Sequence, residues 1–404
     1  MHILVLSDNF MPLSNVERVA YLMTREYVNL GHQVSVITID SKLKNGKVNK
    51  LNYNGITIYQ IGSSYSRYLR AYLGLYNPWV LKPIKLILKD NEFNFVHLHN
   101  IHAHISYAVI SLLKSLGINR IMTAHDFMSI DYGKFTQGIN PEVLSEKARI
   151  NPKINPLKTF LNYKRSYNPF RNIIIKYYLN KLDKIVTVSK AQEYILNANG
   201  VKNTYTINNG ISEYSESIDF DKVRDFRDKY DIRSDEKVIL WAGRLSKAKG
   251  LDQVVLILNR LIEHNYRFRL LVAGGDVIND EKLDKYVIST GWLNEEEMRI
   301  MYEVSSLVIV PSICVDAFPT VVLESMQSGT PVVATCFGGA SEAVVNGKTG
   351  FIINPFNTDV FFDSVLKILD DAQLSYEMSV ESKKIFKNSF TIKDCINQYL
   401  DLLS

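Results

Sequence analysis

A short basic loop follows a buried-strand pattern in the second half of the chain. The strand pattern covers residues 238–242, and the segment 243–250 is Gly-Arg-Leu-Ser-Lys-Ala-Lys-Gly. Glycines at a strand end allow a tight turn and the close approach of a ligand. Arg244 and Lys249 flank the start of the next helix, where a guanidinium fork and an ammonium point charge suit two phosphates. The pattern indicates phosphate binding, and the alternative is a solvated basic loop.

Two carboxylates eight residues apart follow a later strand pattern. The segment from Asp316 to Glu324 is Asp-Ala-Phe-Pro-Thr-Val-Val-Leu-Glu, so Asp316 lies in a loop and Glu324 about one turn into a helix. The first N–H groups of a helix have no partner within it, so this helix start favours a phosphate. Glu324 could then accept two ribose hydroxyls. The alternative is that the acidic residues only stabilise the helix dipole.

Both motifs belong to a chain that alternates strand and helix patterns. A helix is predicted from Val16 to Leu30, and further helices near 250–263, 294–304, 320–328, 358–387 and 391–403. The predicted strands are 2–7, 34–39, 56–61, 95–99, 120–124, 184–189 and 204–207, then 238–242, 270–273, 287–289, 307–310 and 332–334. This order predicts an α/β fold with mostly parallel, doubly wound sheets.

The alternation restarts after Asn209-Gly210, which predicts two Rossmann-like domains. The first domain covers 1–210, with 390–404 returning to it as a C-terminal helix, and the second covers 211–389. Ligands of such sheets bind outside the carboxyl ends of the strands, so we expect the domains to face each other across a deep cleft. Residues 128–172 carry four prolines and no period, which is typical of a functional or mobile loop.

With these motifs in view, the chain resembles the retaining glycosyltransferases of family 4, which have the GT-B fold. The family pattern G-R-L-x-x-x-K-G-x-D matches 243–252, and the E-x7-E pattern matches 316–324 with Asp316 in place of the first Glu. Further matches lie at 31–34, 209–211, 324–334, 338–342 and 346–351. The similarity covers nearly the whole chain in the order that the family shows.

The resemblance implies roles for residues of the second domain. It implies that Arg244 and Lys249 hold the nucleotide diphosphate and neutralise the leaving group. It implies that Glu324 binds the ribose and that Asp316 faces the donor sugar. The remaining donor-binding residues that it implies are Gly291, Trp292 and Leu293, whose backbone reads the base, and Phe318, Pro319, Thr320 and Val321.

The resemblance also implies a site in the first domain. His125, in the sequence Thr-Ala-His-Asp, matches a family histidine at a strand end that faces the donor sugar. It joins Asp316, Arg244 and Lys249 in the implied catalytic set, and the alternative is a structural histidine at a strand terminus. The expected acceptor-binding residues are Ser14, Asn15, His99, His102 and Asp126.

Two positions depart from the family pattern. The loop after the first strand, P-x-x-G-G-x-E in the family, has Ser14 and Asn15 in place of both glycines. Asp316 is one methylene shorter than the usual Glu. In the family, the loop that here contains Ser14 and Asn15 approaches the sugar and phosphates, so its contacts change. The shorter Asp316 affects the expected activity and the choice of sugar.

No metal and no cofactor are expected. Four of the eight histidines lie at 97, 99, 102 and 104, but no nearby cysteine or acidic residue completes a zinc ligand set. The family commonly has H-x-H-N at this place. The D-x-D at 219–221 precedes a helix, where carboxylates cap the helix and stabilise its dipole. The nucleotide-sugar is then a substrate, and cations of the protein replace a metal.

The net charge of +5 conceals an asymmetry between the halves. Residues 1–210 carry a net charge of +14 and residues 211–404 a net charge of −9. Between 147 and 184, ten Lys or Arg accompany one acid and six interleaved Phe or Tyr, and 65–89 form a second basic aromatic segment. These segments suit an anionic membrane surface or a lipid pyrophosphate. The alternative is a solvated cationic loop, and nucleic acid is disfavoured because no binding motif accompanies the charge.

Composition excludes several classes of protein. The 404 residues are 46% hydrophobic and 22% charged, which excludes fibrous and largely disordered chains. Three widely spaced cysteines form neither a disulfide framework nor a metal knuckle, which fits a reducing compartment. No pattern of a signal peptide or of a membrane-spanning run is present. We therefore expect a cytoplasmic protein that is peripheral on the inner face of the membrane.

The predicted function is sugar transfer with retention of anomeric configuration. The donor is a nucleotide-diphosphate sugar, UDP-sugar first and GDP-sugar next, and the acceptor is a hydroxyl of a lipid-linked or cell-surface glycan. Front-face attack through an ion-pair-like state is the mechanism that the resemblance implies. The alternatives are a non-catalytic or weakly active glycan-binding or nucleotide-sugar-binding relative, and a UDP-sugar epimerase of the GT-B fold. A dehydrogenase is disfavoured because no G-x-G-x-x-G follows a strand.

Overall fold

The computed structural model describes residues 1–10, 15–214, 218–274, 278 and 280–403. The chain forms two compact units. Unit 1 comprises Met1–Gln137, Pro152–Asn209 and Ile392–Ser404, and unit 2 comprises Gly138–Asn151 and Gly210–Thr391. Residues 138–151 were expected in the first domain, but their contacts place them in unit 2.

Unit 1 is built on an eight-stranded sheet in the order β3-β4-β2-β1-β5-β6-β7-β8, in which only the pair β3–β4 is antiparallel among the described strands. The strands are β1 (His2–Leu6), β2 (Gln33–Asp40), β3 (Val48–Tyr53), β4 (Ile56–Gly62), β5 (Phe95–Leu98), β6 (Asn119–Ala124), β7 (Lys184–Thr187) and β8 (Thr204–Thr206). The helices between them are α1 (Asn15–Asn29), α2 (Arg70–Leu73), α3 (Pro78–Asp90), α4 (Ala108–Ser115), α5 (Pro156–Tyr163), α6 (Arg171–Leu179) and α7 (Lys190–Ala198).

The central strands of unit 1 are apolar because helices cover both faces of a parallel sheet. Residues 3–6 of β1 are completely buried. The edge strand β3 was not predicted, since its sequence is polar and mostly exposed. It forms a hairpin with β4 through Asn54 and Gly55, which both have positive φ. An Asn-Gly pair at this place is a hairpin signal that the sequence did offer.

Unit 2 has a six-stranded sheet in the order β11-β10-β9-β12-β13-β14, in which every described pair of neighbours is parallel. The strands are β9 (Lys237–Ala242), β10 (Phe268–Ala273), β11 (Val287–Gly291), β12 (Leu307–Val310), β13 (Val332–Thr335) and β14 (Gly350–Ile353). The helices are α8 (Phe220–Lys229), α9 (Leu251–Glu263), α10 (Glu295–Val304), α11 (Thr320–Ser328), α12 (Ala340–Ala343), α13 (Thr358–Asp370) and α14 (Ala372–Ser389).

The last helix, α15 (Ile392–Leu403), belongs to unit 1. Tyr399 is 1% exposed, and its hydroxyl is hydrogen-bonded to Oγ1 of Thr123 on β6 at 2.8 Å. The ammonium of Lys184 donates to the carbonyl oxygen of Leu402. Within the described residues, no helix has the length and apolarity needed to cross a bilayer.

The segment 128–172 is more ordered than its sequence predicted. Asn155 caps α5 by accepting hydrogen bonds from the backbone N–H groups of residues 157 and 158. This cap stabilises the start of a helix that the sequence period did not predict. Within unit 2, the stretch 138–151 is closed by a hydrogen bond from Asn151 N–H to Gly138 O of 2.8 Å. The amide of Asn354, which is fully buried, donates to Val143 O at 2.7 Å and to Ser145 O at 3.0 Å.

We predict that Gly350→Ala destabilises unit 2 far more than Gly347→Ala. Both glycines have positive φ, which costs an alanine about 1–2 kcal/mol. A Cβ on Gly350 would also overlap the backbone carbonyl oxygen of Val332 in the neighbouring strand, whereas a Cβ on Gly347 meets nothing within 4 Å. The overlap adds about 1–3 kcal/mol. Urea unfolding of both variants measures the difference, and equal midpoints would contradict this account of β14.

Candidate active site

The basic loop of unit 2 is fixed by the glycine that precedes α9. Gly250 has φ 90°, and a Cβ there would overlap the carbonyl oxygen of Pro311, which follows β12. The backbone N–H of Ile313 donates to Ala248 O at 3.1 Å. The loop after β9 therefore packs directly on the loop after β12. This packing brings the cations of the first loop to the carboxylate of the second.

Lys249 and Asp316 form an ion pair between these loops. The ammonium donates to Oδ2 of Asp316, and the two side chains are 31% and 19% exposed. Burial alone would lower the pKa of Lys249, but the attraction of Asp316, with a smaller contribution from Cys314, raises it above its ordinary value. Lys249 is therefore charged at neutral pH. The exposed Arg244 lies close enough to oppose this increase in part.

Asp316 is held by a second glycine contact. Its backbone N–H donates to Phe337 O at 3.3 Å, and its carbonyl oxygen accepts from Gly339 N–H at 2.9 Å. A Cβ on Gly338 would overlap the Asp316 carbonyl oxygen, so this approach requires glycine. The family block around residue 338 thus has a local physical role, which is to fix the loop that carries the carboxylate.

The helix start predicted to bind an anion is present at α11. Pro319 occupies the N-cap position and offers no side-chain hydrogen bond to the first turn. Thr320 is 6% exposed, and its hydroxyl oxygen is buried without a hydrogen-bond partner in the part of the chain described. Polar groups buried in this way normally find a partner. Together with the N–H groups of the first turn, this hydroxyl suits an anionic ligand. Val321 and Phe318, also predicted, are buried beside it.

Glu324 lies one turn into α11 and is 5% exposed. Its Oε2 accepts a hydrogen bond of 2.7 Å from the hydroxyl of Tyr302 on α10. Tyr302 is 1% exposed and is a residue that sequence reasoning missed. No local sequence pattern could reveal Tyr302, because it contacts a residue 22 positions away on another helix.

The segment predicted to read a base follows β11. Gly291 has φ 73° and accepts a hydrogen bond of 3.0 Å from Gly274 N–H, so the ends of β10 and β11 lie close together. Trp292 is 67% exposed, and Leu293 is half-buried. An exposed indole beside a glycine turn offers both a flat ring and open backbone groups to a ligand.

His125 lies in unit 1 directly after β6 and is 9% exposed. Its Nε2 is hydrogen-bonded to Nδ1 of His99 at 2.8 Å. Burial lowers the pKa of His125 to about 4, and the neighbouring Asp126 offsets only part of this effect. The imidazole is therefore neutral at physiological pH and serves as a hydrogen-bonding group.

The expected acceptor residues of unit 1 have different environments. His99 is 2% exposed and lines, together with His102, His125 and Asp126, a cavity of about 10 Å³, the room for one water. His102 and Asp126 lie 4.0 Å apart, and Asp126 also accepts from Met128 N–H at 2.8 Å. Asn15 begins α1, whereas Ser14 lies outside the described residues.

Asp8, which follows β1, is a second residue that sequence reasoning missed. It is 3% exposed, and its carboxylate accepts from the backbone N–H groups of three consecutive residues, Ala103, His104 and Ile105, at 2.7, 2.9 and 2.7 Å. These bonds fix the loop after β5 against the loop after β1. Asp8 thereby shapes the loop that carries His102.

The clustered histidines have separate partners. His97 is hydrogen-bonded to Tyr27 and Thr123, His99 to His125, and His104 to Ser63. Within the described ranges, no group of three or more His, Cys, Asp or Glu is arranged to hold a metal ion. Asp219 of the D-x-D accepts from Asp221 N–H as the N-cap of α8.

Two family models match the chain in succession. "Glycosyltransferase Family 4" matches residues 16–213, and "Glycosyl transferases group 1" matches residues 222–385. The D-inositol 3-phosphate glycosyltransferase of Corynebacterium aurimucosum is 29% identical over 185 residues, which are 42% of this chain and 44% of that protein. The capsular polysaccharide biosynthesis glycosyltransferase CapM of Staphylococcus aureus is 26% identical over 216 residues, 52% of this chain and 55% of that protein. The chain thus spans about half the length of the curated relatives that it matches.

A solved structure with the same fold is that of Anabaena HepE in complex with UDP and glucose. It has a TM-score of 0.71 at 16% identity and covers 100% of this chain and 99% of that one. The two family models, the glycosyltransferase relatives and the two Rossmann-like units agree, and the chain belongs to glycosyltransferase family 4, whose members have the GT-B fold.

Proposed function

We propose that the protein transfers a sugar from a nucleoside-diphosphate sugar, UDP-sugar first and GDP-sugar next, to a hydroxyl acceptor with retention of configuration. The observation that carries this proposal is the convergence, at the carboxyl ends of the unit 2 strands, of Lys249, Asp316 and the start of α11. A cation, a carboxylate and a helix N-terminus match the diphosphate and sugar of such a donor. The structurally similar HepE, which was solved in complex with UDP and glucose, supports the choice of base.

In the proposed reaction the departing diphosphate is stabilised by charges that are already in place. Lys249 and Arg244 neutralise the phosphate oxygens, and the first turn of α11 and the Thr320 hydroxyl donate hydrogen bonds. The diphosphate competes with Asp316 for Lys249, so donor binding releases the Asp316 carboxylate toward the sugar. The physical role of the shorter side chain at 316 is then to pair with Lys249 until the donor binds.

Glu324 binds the ribose in this proposal. A carboxylate accepts hydrogen bonds from two hydroxyl groups well when its orientation is fixed. Tyr302 fixes it by donating to Oε2 from the neighbouring helix. In this proposal Trp292 and the backbone at Gly291 contact the base, and Asp316 contacts the sugar of the donor. His125 of unit 1 stays a predicted sugar-binding residue.

The proposed acceptor is a lipid-linked or cell-surface glycan, which unit 1 reaches at an anionic membrane. The support is a pair of basic aromatic segments, residues 67–89 and 157–181, whose two 3₁₀ turns, 67–69 and 164–166, pack together. Large side chains exposed in these segments are Tyr68, Leu69, Tyr72, Tyr76, Trp79, Leu86, Leu157, Phe160, Leu161, Phe170, Ile173 and Tyr177. Aromatic rings among lysines are typical of interfacial binding. The protein would then be cytoplasmic and peripheral on the inner membrane face.

We predict that Lys249→Ala weakens UDP binding and donor turnover roughly 10- to 150-fold, because a charge-assisted contact of about 1.5–3 kcal/mol is lost. Lys247→Ala is the matched control, since Lys247 lies two residues away, is 83% exposed and contacts Asp252 at 3.9 Å. Calorimetric titration with UDP and a UDP-release assay measure both effects. Equal affinity in both variants would refute the phosphate assignment.

We predict that activity is insensitive to EDTA. The protein supplies the positive charge through Lys249 and Arg244, and the D-x-D is engaged in capping α8. UDP release is measured after extensive chelation and again after adding Mg²⁺ or Mn²⁺. Loss of activity on chelation with recovery on either addition would contradict the prediction.

We predict that the protein binds anionic vesicles and that salt weakens this binding. Replacing Lys158, Lys164 and Lys176 with Gln should reduce the partition coefficient roughly 100-fold, at about 1 kcal/mol for each lysine. The same replacement at the exposed Lys229, Lys282 and Lys384 of unit 2 is the control. Co-sedimentation with phosphatidylglycerol and with neutral phosphatidylcholine vesicles is measured, and equal, negligible binding to both would point to a soluble acceptor.

A further inference from the structure

A second histidine lies directly behind His125. Strands β5 and β6 are parallel neighbours with Leu98 paired to Met122, so His99 and His125 emerge side by side after the two strands. Their rings are nearly coplanar, with an interplanar angle of 14° and centroids 5.1 Å apart. Nδ1 of His99 and Nε2 of His125 are 2.8 Å apart, which is a hydrogen bond between two ring nitrogens.

Both imidazoles are neutral, so one of the two facing nitrogens carries a hydrogen and the other accepts it. Burial lowers the pKa of His125 to about 4, despite the opposing effect of Asp126. Burial and the neighbouring His97 and His125 lower the pKa of His99 well below its ordinary range. A neutral imidazole carries one N–H and one lone pair. The 2.8 Å bond therefore has a direction, and that direction determines which nitrogen of His125 carries its proton.

The cavity behind the pair indicates the direction. Nε2 of His99 and the hydroxyl oxygen of Ser129 are both buried without partners among the described residues, and both side chains line the cavity of about 10 Å³. One water fits there. The Ser129 hydroxyl hydrogen needs an acceptor, and a lone pair on His99 Nε2, reached through that water, supplies one.

The opposite direction adds one donor to the cavity and removes one acceptor from it. If His125 donated to His99, Nε2 of His99 would carry a hydrogen and would also have to donate into the cavity. Two donors, Nε2–H and the Ser129 hydroxyl, would then compete there. A buried donor without an acceptor costs about 1–3 kcal/mol. The direction from Ser129 through His99 to His125 keeps a lone pair in the cavity and avoids this excess of donors.

We propose that His99 is a positioning residue that holds His125 in the Nδ1–H tautomer, so that His125 offers its ligand a hydrogen-bond donor and not a lone pair. Within the described residues, the hydrogen bond of the His125 side chain is the one to His99. Nδ1–H is then the group that can contact the ligand. This rests on the proposed function only in taking the ligand to be a sugar, whose oxygens would accept from Nδ1–H.

His97 provides a matched control. Its ring is fully buried and lies against the ring of His99, with centroids 4.1 Å apart and planes tilted by 34°. Its own hydrogen bonds go to Tyr27 at 3.1 Å and to Thr123 at 2.7 Å, and neither goes to His125. Replacing His97 therefore removes a buried imidazole of equal size without removing the bond to His125.

The first experiment determines the tautomer directly in the full-length protein. The chain is labelled with ¹⁵N-histidine, and long-range ¹H–¹⁵N correlation spectra at about pH 7 distinguish protonated from unprotonated ring nitrogens. Spectra of His125→Gln and His99→Asn assign the two rings. We expect unprotonated Nε2 and protonated Nδ1 in His125, and the reverse pattern, or an equal mixture, would overturn the proposal. This result does not depend on any activity.

The second experiment compares three variants by the same spectra, by thermal unfolding and by donor turnover. His99→Asn places an amide N–H close to the position of Nδ1 and should keep the His125 tautomer and most of kcat. His99→Leu removes the donor and should lower kcat roughly 3- to 10-fold with little change in KM for UDP-sugar, the loss of one hydrogen bond. His97→Leu should lower stability similarly and leave the protonation pattern of the His125 ring nitrogens unchanged.

The outcomes separate the inference from the proposed function. If His99→Leu and His97→Leu alter the His125 signals equally, His99 has only a packing role and the inference is wrong. If the wild-type tautomer is as expected but no UDP-sugar is turned over, the proposed function fails and the inference stands. Should His99→Leu not fold, the wild-type and His99→Asn spectra still decide the direction of the bond.

Discussion

The constraint on which the rest of this structure depends is the burial of two parallel sheets on both faces. Strands β1, β5 and β6 of unit 1 and β9 and β12 of unit 2 are almost entirely buried, and β1, β9 and β12 are almost entirely apolar. Polar side chains can therefore reach solvent or a ligand only where these strands end. Most residues with a chemical role proposed above lie at a strand end, in a loop that follows a strand, or in the first turns of the next helix; Tyr302, in the last turn of α10, is an exception. The chemistry is thus confined to one edge of each sheet by the same burial that stabilises it.

Glycines then determine how closely the loops at that edge approach one another. Gly250 lets the basic loop contact the backbone at Pro311, and Gly338 lets the loop of Asp316 contact the backbone after β13. These two contacts bring Lys249 and Asp316 together. Partly buried charges require partners, since desolvation of an unpaired ion is costly. The ion pair satisfies both groups and keeps Lys249 charged, in an arrangement that a diphosphate can exchange for its own oxygens.

The sequence predicted what local patterns encode. It located α9, α10 and α11 to within one residue, and its motif residues Lys249, Asp316 and Glu324 lie at one edge of one sheet, as strand order requires. It missed β3, whose polar sequence lacks a buried face, and it joined α13 and α14 into one helix, because Asp371 ends one and caps the next. It did not identify Tyr302 or Asp8. Their contacts join residues that are distant in sequence, and no spacing rule connects them.

The buried polar side chains behind His125 extend this argument to the end of the chain. A polar network in a core is tolerated when its members find partners, and it then selects one arrangement of the core. Thr123 is hydrogen-bonded both to His97 and to Tyr399 of α15, and Tyr27 of α1 is hydrogen-bonded to His97. The first and last helices of unit 1 are thereby tied to β6, the strand that carries His125. An apolar residue at position 399 would fill the same space but would leave Thr123 with one partner fewer, so the C-terminal helix contributes to the position of His125 through hydrogen bonds as well as through packing.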